Sequence, residues 1–589
     1  MILSAISHSY NPVQQSVIDK NTLELRIETA RDDISRVVLL YGPRYTENED
    51  PSKSKELKLL YQTAERDIYS IRLNLDDTRV RYIFYLEDYK GNSYWYNEKG
   101  FSIKRPRGHH SGYFQFPIIN ESDIPDWPDW PKKQVVYQIF PDRFNRSGDD
   151  NIAKNSWGEL PDSDSVYGGN LQGIIDKLDY LVDLGITAIY LTPIFESPSN
   201  HKYDIDDYYQ VDSNFGNIET AQKLVTEAHK RDIKIILDAV FNHSGSGFFA
   251  FQDLLKNGRK SKYVNWYHPE DFPVSLDKVN YKTFANNVKQ MPKLNMDNLV
   301  TQNYFLEVAK YWTEKLELDG WRLDVSDEVS SKFWYKFRNK LKEINPNIFI
   351  IGEVWYRANR WLEGEQFDSV MNYDLQKDVF SLIIDQTITA DIFSKRIQNN
   401  FKNYKTGIPN QLLNVLDSHD TPRVSWFFNQ LDKSKRDKKI KLISTLQFLL
   451  PGIPMIYYGS EVGLTGADDP DCRRTMIWNK EKQNKNLLSH YRKLIKYYKD
   501  QPVLHNGIYS EIYSDPVKNI LIFSLELEDK SKIIIANFSE KKHQINLNNL
   551  NSRIKEIIEN NKPEFYLFSY QINLESKKLK VSSNNILIF

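Results

Sequence analysis

Five short segments of this 589-residue chain carry residue types that do acid–base or nucleophilic chemistry. They are Asn200-His201-Lys202-Tyr203-Asp204, Asp238-Ala239-Val240-Phe241-Asn242-His243, Arg322-Leu323-Asp324, Gly352-Glu353-Val354-Trp355 and Asp417-Ser418-His419-Asp420. Each alone has an ordinary explanation. A strand-end Asp often caps the next helix, and a lone His is more often a satisfied core residue than a catalyst. Arg322 and Asp324 read either as a structural ion pair or as a carboxylate kept ionised by a guanidinium, which suits a nucleophile. Gathered on one face, the five are harder to dismiss, because burying several charges without a use costs stability. Three gathered carboxylates suit glycoside hydrolysis, which needs a nucleophile or base and a protonated acid. An extra carboxylate can hold hydroxyls and steady positive charge in the transition state.

The elements that must gather them are legible as apolar runs. Between about 132 and 500 we count eight candidate strands: Val135–Phe140, Ala188–Leu191, Ile233–Val240, Gly320–Val325, Ile348–Val354, Ser369–Tyr373, Leu412–Leu416 and Pro454–Tyr458. Short continuous apolar runs are what parallel strands buried on both faces require. Helical stretches such as Leu171–Leu184, Thr220–Arg231 and Phe305–Leu316 lie between them. Eight strand–helix units imply a (β/α)8 TIM barrel, whose catalytic groups lie at the C-terminal strand ends. Residues 243–299 are too many for a loop and read as a subdomain inserted after the third strand. Alternating segments such as Thr22–Glu28 and Val80–Asp88 make residues 1–122 an all-β sandwich, followed by the Pro-rich linker around Ile124–Pro131. Period-two alternation returns in 505–589, a second all-β sandwich, so the catalytic barrel is expected to span 123–504.

Lys and Arg number 78 against 79 Asp and Glu, a net charge of −1, so nucleic acid is not an expected partner. The chain holds 36 Tyr, 30 Phe and 12 Trp. Most must be core, but flat rings also serve as stacking platforms for sugars. One cysteine, Cys472, excludes an intramolecular disulfide. No basic segment precedes a long apolar run at the start, and no run reaches the ~18 residues of a membrane helix. A soluble, cytoplasmic protein without a membrane partner is the expectation.

The segments DAVFNH (238–243), GWRLDV (320–325), GEVW (352–355) and VLDSHD (415–420) resemble, in order and strand position, the motifs of the α-amylase family of glycoside hydrolases. The resemblance covers the whole barrel. It implies Asp324 as nucleophile, Glu353 as general acid/base and Asp420 as the third, transition-state-stabilising carboxylate. Arg322 would hold Asp324 ionised. His243 and His419 would bind sugar hydroxyls, Tyr203 would stack on the sugar, and Asp238 would be the structural Asp of the third strand. Trp355 and Arg423 are carried over as further substrate-binding positions. Met291-Pro292-Lys293-Leu294-Asn295, the N-terminal β domain and Asp469–Arg474 are similar to the subgroup of neopullulanase, cyclomaltodextrinase and maltogenic amylase. That resemblance implies a retaining enzyme for cyclodextrins and maltooligosaccharides, a homodimer formed through the N-terminal domain, and a role for Glu328 in transglycosylation. Glu328 also reads simply as a solvated acid at a helix start.

The subgroup further implies a structural calcium near the first strand, at Asn145, Asp149, Asn151, Gly169 and Asn170; no organic cofactor is expected. Arg146 intrudes there, and Asn stands at 170 where Asp is expected, so a polar turn is the alternative. Two other functions compete. One is an α-1,6-glucosidase or isomerase of the same family, against which MPKLN and the N-terminal module argue. The other is a non-catalytic glycan-binding protein with an amylase-like barrel, against which the intact Asp324, Glu353 and Asp420 argue.

Overall fold

The structure is a computed structural model that describes residues 1–45, 50–108, 111–148, 153–573 and 575–589. It divides into two compact units. The first is Met1–Asp126 with two later segments, Gln386–Pro409 and Tyr509–Ser524. The second is Trp127–Asp385, Asn410–Ile508 and Leu525–Phe589.

The first unit holds two antiparallel sheets. One runs Gln15–Asp19, Thr22–Ala30, Arg66–Asn74, Lys58–Gln62; the other centres on Ile34–Pro43 and Val80–Asp88. Alternation turns Leu23, Leu25 and Ile27 into a core shared with Val37, Leu39 and Phe84. Glu24 and Arg26 point the other way, yet both are buried. The Arg26 Nε donates to Glu24 Oε1 at 2.8 Å, the Thr406 hydroxyl donates to the same oxygen at 2.6 Å, and Arg72 Nε donates to Oε2 at 3.1 Å.

The second unit is built on the expected barrel. Its strands are β1 (Val136–Ile139), β2 (Ala188–Leu191), β3 (Lys234–Ala239), β4 (Gly320–Leu323), β5 (Phe349–Gly352), β6 (Ser369–Val370), β7 (Leu413–Asn414) and β8 (Ile453–Tyr457). All are parallel, in the order β6-β5-β4-β3-β2-β1-β8-β7. A parallel bridge between Met371 and Leu413 joins the two ends. The strands are buried on both faces, which is why they read as unbroken apolar runs. Val136, Tyr190, Ile236, Ile351, Val415 and Met455 pack in the interior. Helices include Ile218–His229, capped by Asn217, which accepts from Thr220 N–H, and Leu299–Leu316, capped by Asn298. The expected 171–184 helix is two pieces, Leu171–Ile175 and Leu178–Leu184, the second closed by Gly185 at φ +98°.

The fourth strand is shorter than its apolar run. It stops at Leu323, and Val325 takes a left-handed φ of +44°. That conformation is strained for a β-branched residue and turns the chain sharply away from the strand after Asp324. The inserted segment returns to the barrel through the bridge His243–Lys293, while Tyr267–Leu294 pairs the segment with itself, so MPKLN lies beside the end of β3. In the C-terminal stretch Lys530–Asn537 pairs with Asn585–Ile588, and a separate sheet joins His543–Asn546, Lys578–Val581 and Tyr570–Asn573. A helix, Ser552–Asn560, interrupts this otherwise all-β stretch, capped by Asn551 and burying Ile554 and Ile558 one turn apart. Among the described residues no helix is long and apolar enough to cross a membrane.

Candidate active site

The strand ends deliver the charges to one place. Arg322, on β4, is fully buried. Its Nη1 donates to Asp238 Oδ1 and Oδ2 at 3.0 Å each and to Asp324 Oδ1 at 2.9 Å. Its Nη2 lies 2.8 Å from Glu353 Oε1. That is an ion-pair distance without hydrogen-bond alignment, and both Nη2 and Nε stay unmatched. One guanidinium therefore serves three carboxylates from β3, β4 and β5. Asp238 is further tied by the hydroxyls of Tyr190 at 2.6 Å and Tyr203 at 2.8 Å, which fits its structural reading.

Asp324 keeps its second oxygen, Oδ2, buried and without a partner. Burial pushes its carboxyl well above the usual range, Arg322 pulls it back, and Glu353, Asp238 and Asp420 raise it again. Glu353 is likewise raised by burial and by Asp420, against Arg322. Arg322 thus favours the ionised form of Asp324, but it does not act on that carboxyl alone. Its single charge is divided among three carboxylates, so the cluster titrates as a unit and retains a proton more readily than isolated acids do. Glu353 accepts from Val325 N–H at 2.9 Å and from the Trp355 indole at 3.2 Å. The strained turn at Val325 is what aims that N–H at the carboxyl.

Asp420 behaves oppositely. Burial favours its neutral form, but His419, Arg473 and Arg322 outweigh this and lower it. His419 is itself pushed down to about 3 by burial and is neutral at pH 7, so the Arg473 guanidinium, 3.3 Å away, is the charge that matters. Tyr203 must give its one proton to Asp238, so it accepts from His419 Nε2 at 2.6 Å. His419 Nδ1 then accepts from the Gln138 amide at 2.8 Å. His243, down to about 3 through burial, stacks on Phe284 and leaves Nε2 unmatched.

A cavity of about 490 Å³ opens over this cluster. Tyr203, His243, Asp324, Glu353, Trp355, Glu328 and Asp420 line it. Trp355 stacks on Tyr373 at 3.9 Å and 8° and is 40% exposed as a residue. Glu328 pairs with Lys293 of MPKLN at 2.8 Å. Asp238, Arg322 and His419 lie beneath the lining. Arg423 does not reach the cavity: its Nε and Nη1 donate to the carbonyls of Cys472 and Tyr458 and its guanidinium packs on Tyr457, so it ties loops together. Sequence reasoning missed His201, Phe284, Met291, Asp469 and Arg473 as lining residues. The i, i+4 spacing of Asp469 and Arg473, which pair at 3.0 Å, was the available signal.

Around the implied calcium positions, Asn170 Oδ1 accepts from Gly173 N–H while its amide donates to the Ser147 carbonyl, and the Asn145 amide donates to the Gly173 carbonyl. Gly169 is pressed against the Pro141 and Asp142 carbonyls. Asp149 and Asn151 lie outside the described residues. Among those described, no group of three or more His, Cys, Asp or Glu is arranged to hold a metal. The amide groups of Asn145 and Asn170 serve the turn itself, so the described positions do not by themselves fit a carboxylate-rich cation site.

A parallel eight-stranded barrel with carboxylates converging over one guanidinium under an aromatic-lipped cleft defines a glycosidase-type site. Family comparison agrees: the α-amylase catalytic-domain model matches residues 138–503 and the α-amylase N-terminal immunoglobulin-like model matches residues 1–120. The chain belongs to the α-amylase family of glycoside hydrolases. It is 42% identical over 556 residues to a cyclomaltodextrinase of Thermoanaerobacter pseudethanolicus, covering 94% of this chain and 95% of that one. It is 39% identical over 551 residues to neopullulanase 2 of Thermoactinomyces vulgaris, covering 92% of each. A solved cyclomaltodextrinase structure superposes over 100% of both chains with a TM-score of 0.90 at 34% identity.

Proposed function

We propose that this protein hydrolyses α-1,4-glucosidic bonds of cyclodextrins and short maltooligosaccharides, with pullulan and starch as lesser substrates, and that it releases mainly maltose or panose. The observation that carries the reading is the unpartnered Asp324 Oδ2, buried beside Glu353 under the cavity. In this mechanism Asp324 Oδ2 attacks the anomeric carbon while Oδ1 stays on Arg322. Glu353 gives its proton to the departing glycosidic oxygen, and a covalent glycosyl–enzyme ester forms. Glu353, now anionic, takes a proton from water as that water displaces Asp324, so the anomeric configuration is retained. Asp420, kept ionised, faces the positive charge on the sugar ring in each transition state. A sugar acceptor entering beside Glu328 in place of water gives transglycosylation.

The names of the relatives support cyclodextrin as the preferred substrate. A panel of β-cyclodextrin, maltotriose, pullulan and soluble starch tests it. Cyclodextrin is expected to be cleaved fastest, and a more than tenfold preference for starch would overturn the reading. Proton NMR of the first product should show the α-anomer; the β-anomer would exclude retention. A homodimer through the N-terminal unit and a cytoplasmic location belong to the same proposal, the first tested by sedimentation. A structural calcium is tested by chelation, and an unchanged melting temperature would remove it.

A further inference from the structure

His201 and Tyr203 line the cavity, but the residue between them does not. Lys202 turns back into the protein and is 2% exposed, although lysine is almost never fully buried unless paired. Its Nζ sits 2.6 Å from Asp212 Oδ2 and donates to the Ser197 carbonyl at 2.8 Å. Asp212 is completely buried; it accepts from Ser197 N–H at 3.1 Å and from Asn214 N–H at 2.9 Å. The pair thus closes the base of the loop that leaves Phe195–Glu196 and returns through Asp207–Val211. Lys202 itself has a left-handed φ of +64°. That backbone state is strained for a side-chain-bearing residue, and it persists only where the surroundings impose it.

A buried ion pair is weak evidence for stability, since an apolar pair of similar volume commonly does as well or better. Fixing one geometry is the better account here. The neighbour of Lys202 is Tyr203, whose hydroxyl accepts from His419 and donates to Asp238. Its ring lies parallel to His419 at 5.3 Å and 4°. His419 in turn lies 3.1 Å from Asp420 Oδ2. A shift of Tyr203 would therefore loosen contacts to two of the carboxylates of the site at once.

We infer that the Lys202–Asp212 pair is a positioning device for the reaction: it holds the strained turn that presents Tyr203 to Asp238 and His419. Neither residue touches substrate. The inference rests on the glycosidase reading of the site.

The test is a cycle on the full chain. Lys202→Met combined with Asp212→Asn removes both charges while keeping side-chain volume. This variant is expected to fold, by circular dichroism and melting, and to lose about 10- to 100-fold in kcat/KM on β-cyclodextrin, the scale of an ångström-sized misplacement. In a Tyr203→Ala background the same two changes are expected to cost less than about twofold, because their effect passes through Tyr203. A folded variant within about threefold of the parent overturns the inference. So does an undiminished loss in the Tyr203→Ala background, which would mark a merely structural role. Should the paired variant not fold, Asp212→Asn alone is read through the same cycle with the same outcomes. Failure of the functional reading is separately visible: the parent would then not cleave glucan, or Glu353→Gln would leave turnover intact.

Discussion

Two strands in different units carry an arginine and an acid two residues apart, and the two pairs do opposite things. Glu24 and Arg26 lie on Thr22–Ala30; Arg322 lies on β4, with Asp324 just past its end. All four side chains are buried. Around Glu24 and Arg26 no buried side-chain nitrogen or oxygen of either residue is left unmatched, because Arg72, Thr406 and the Tyr404 carbonyl complete the network. Burial there works against the charge, but Arg26, Thr406 and Arg72 outweigh it and lower the Glu24 carboxyl. Around Arg322 the balance fails. Arg322 Nε and Nη2 and Asp324 Oδ2 are unmatched, and the Asp324 carboxyl is raised. The difference teaches that burial of charge alone does not mark a reactive site; what sets Asp324 apart is an unmatched carboxylate oxygen on a residue that lines the cavity.

That contrast can be broken by substitution. The largest effect is expected from Asp324→Asn, with kcat on β-cyclodextrin falling about 10⁴-fold while the melting curve stays cooperative. A loss below tenfold would mean that the unmatched oxygen is not the nucleophile. Next is Arg26→Met, which strands Glu24 without its main partner. It should destabilise the protein by about 3–5 kcal/mol in denaturant unfolding with kcat unchanged below the transition. A large fall in kcat at unchanged stability would erase the distinction between the two pairs.

The smallest effect concerns pH. The folded Asp324 carboxyl is raised, so its favourable contribution exists below its unfolded value and is lost as pH rises. Glu24 is lowered, so its contribution exists above its unfolded value, about 4.3, and is lost as pH falls. Asp324→Asn should therefore be more stable than the parent by about 1 kcal/mol at pH 8, the size of a typical gain from relieving a functional site, and the gain should shrink toward pH 4. Thermal unfolding at the two pH values checks the sign. A gain that grew toward acid would contradict the raised carboxyl.

Much of this site was legible before any coordinates. Eight apolar runs became eight parallel strands because burial on both faces leaves no alternating pattern to misread. The groups at their ends, from Asp238 to Asp420, followed from the barrel rule. What was not legible depended on backbone reversal and on loops. The run through Val325 looks like strand, yet Val325 leaves it in a left-handed turn set by what it must hydrogen-bond. Arg423 sits three residues past Asp420 and reads as a ligand; only its partners, two carbonyls, show that it braces loops. Phe284 and Met291 reach the cavity from the inserted segment, and no period or spacing in that segment announces it. Likewise, Gln386–Pro409 and Tyr509–Ser524 join the first unit from far along the chain, which linear boundaries do not express.

The ring of strands is uneven. β6 and β7 are two residues each, and Met371–Leu413 is the bridge between them, extended by Asn372 N–H to the Leu413 carbonyl at 2.8 Å and by the Asn372 amide to Asn414 Oδ1 at 2.9 Å. Glu353 follows β5 on one side of this seam, and Asp420 follows β7 on the other. The joint with the fewest paired residues therefore falls between the strand ends that carry Glu353 and Asp420. Where β2 and β3 are laced by four paired residues, this joint leans on the side-chain amides of Asn372 and Asn414 to stay shut.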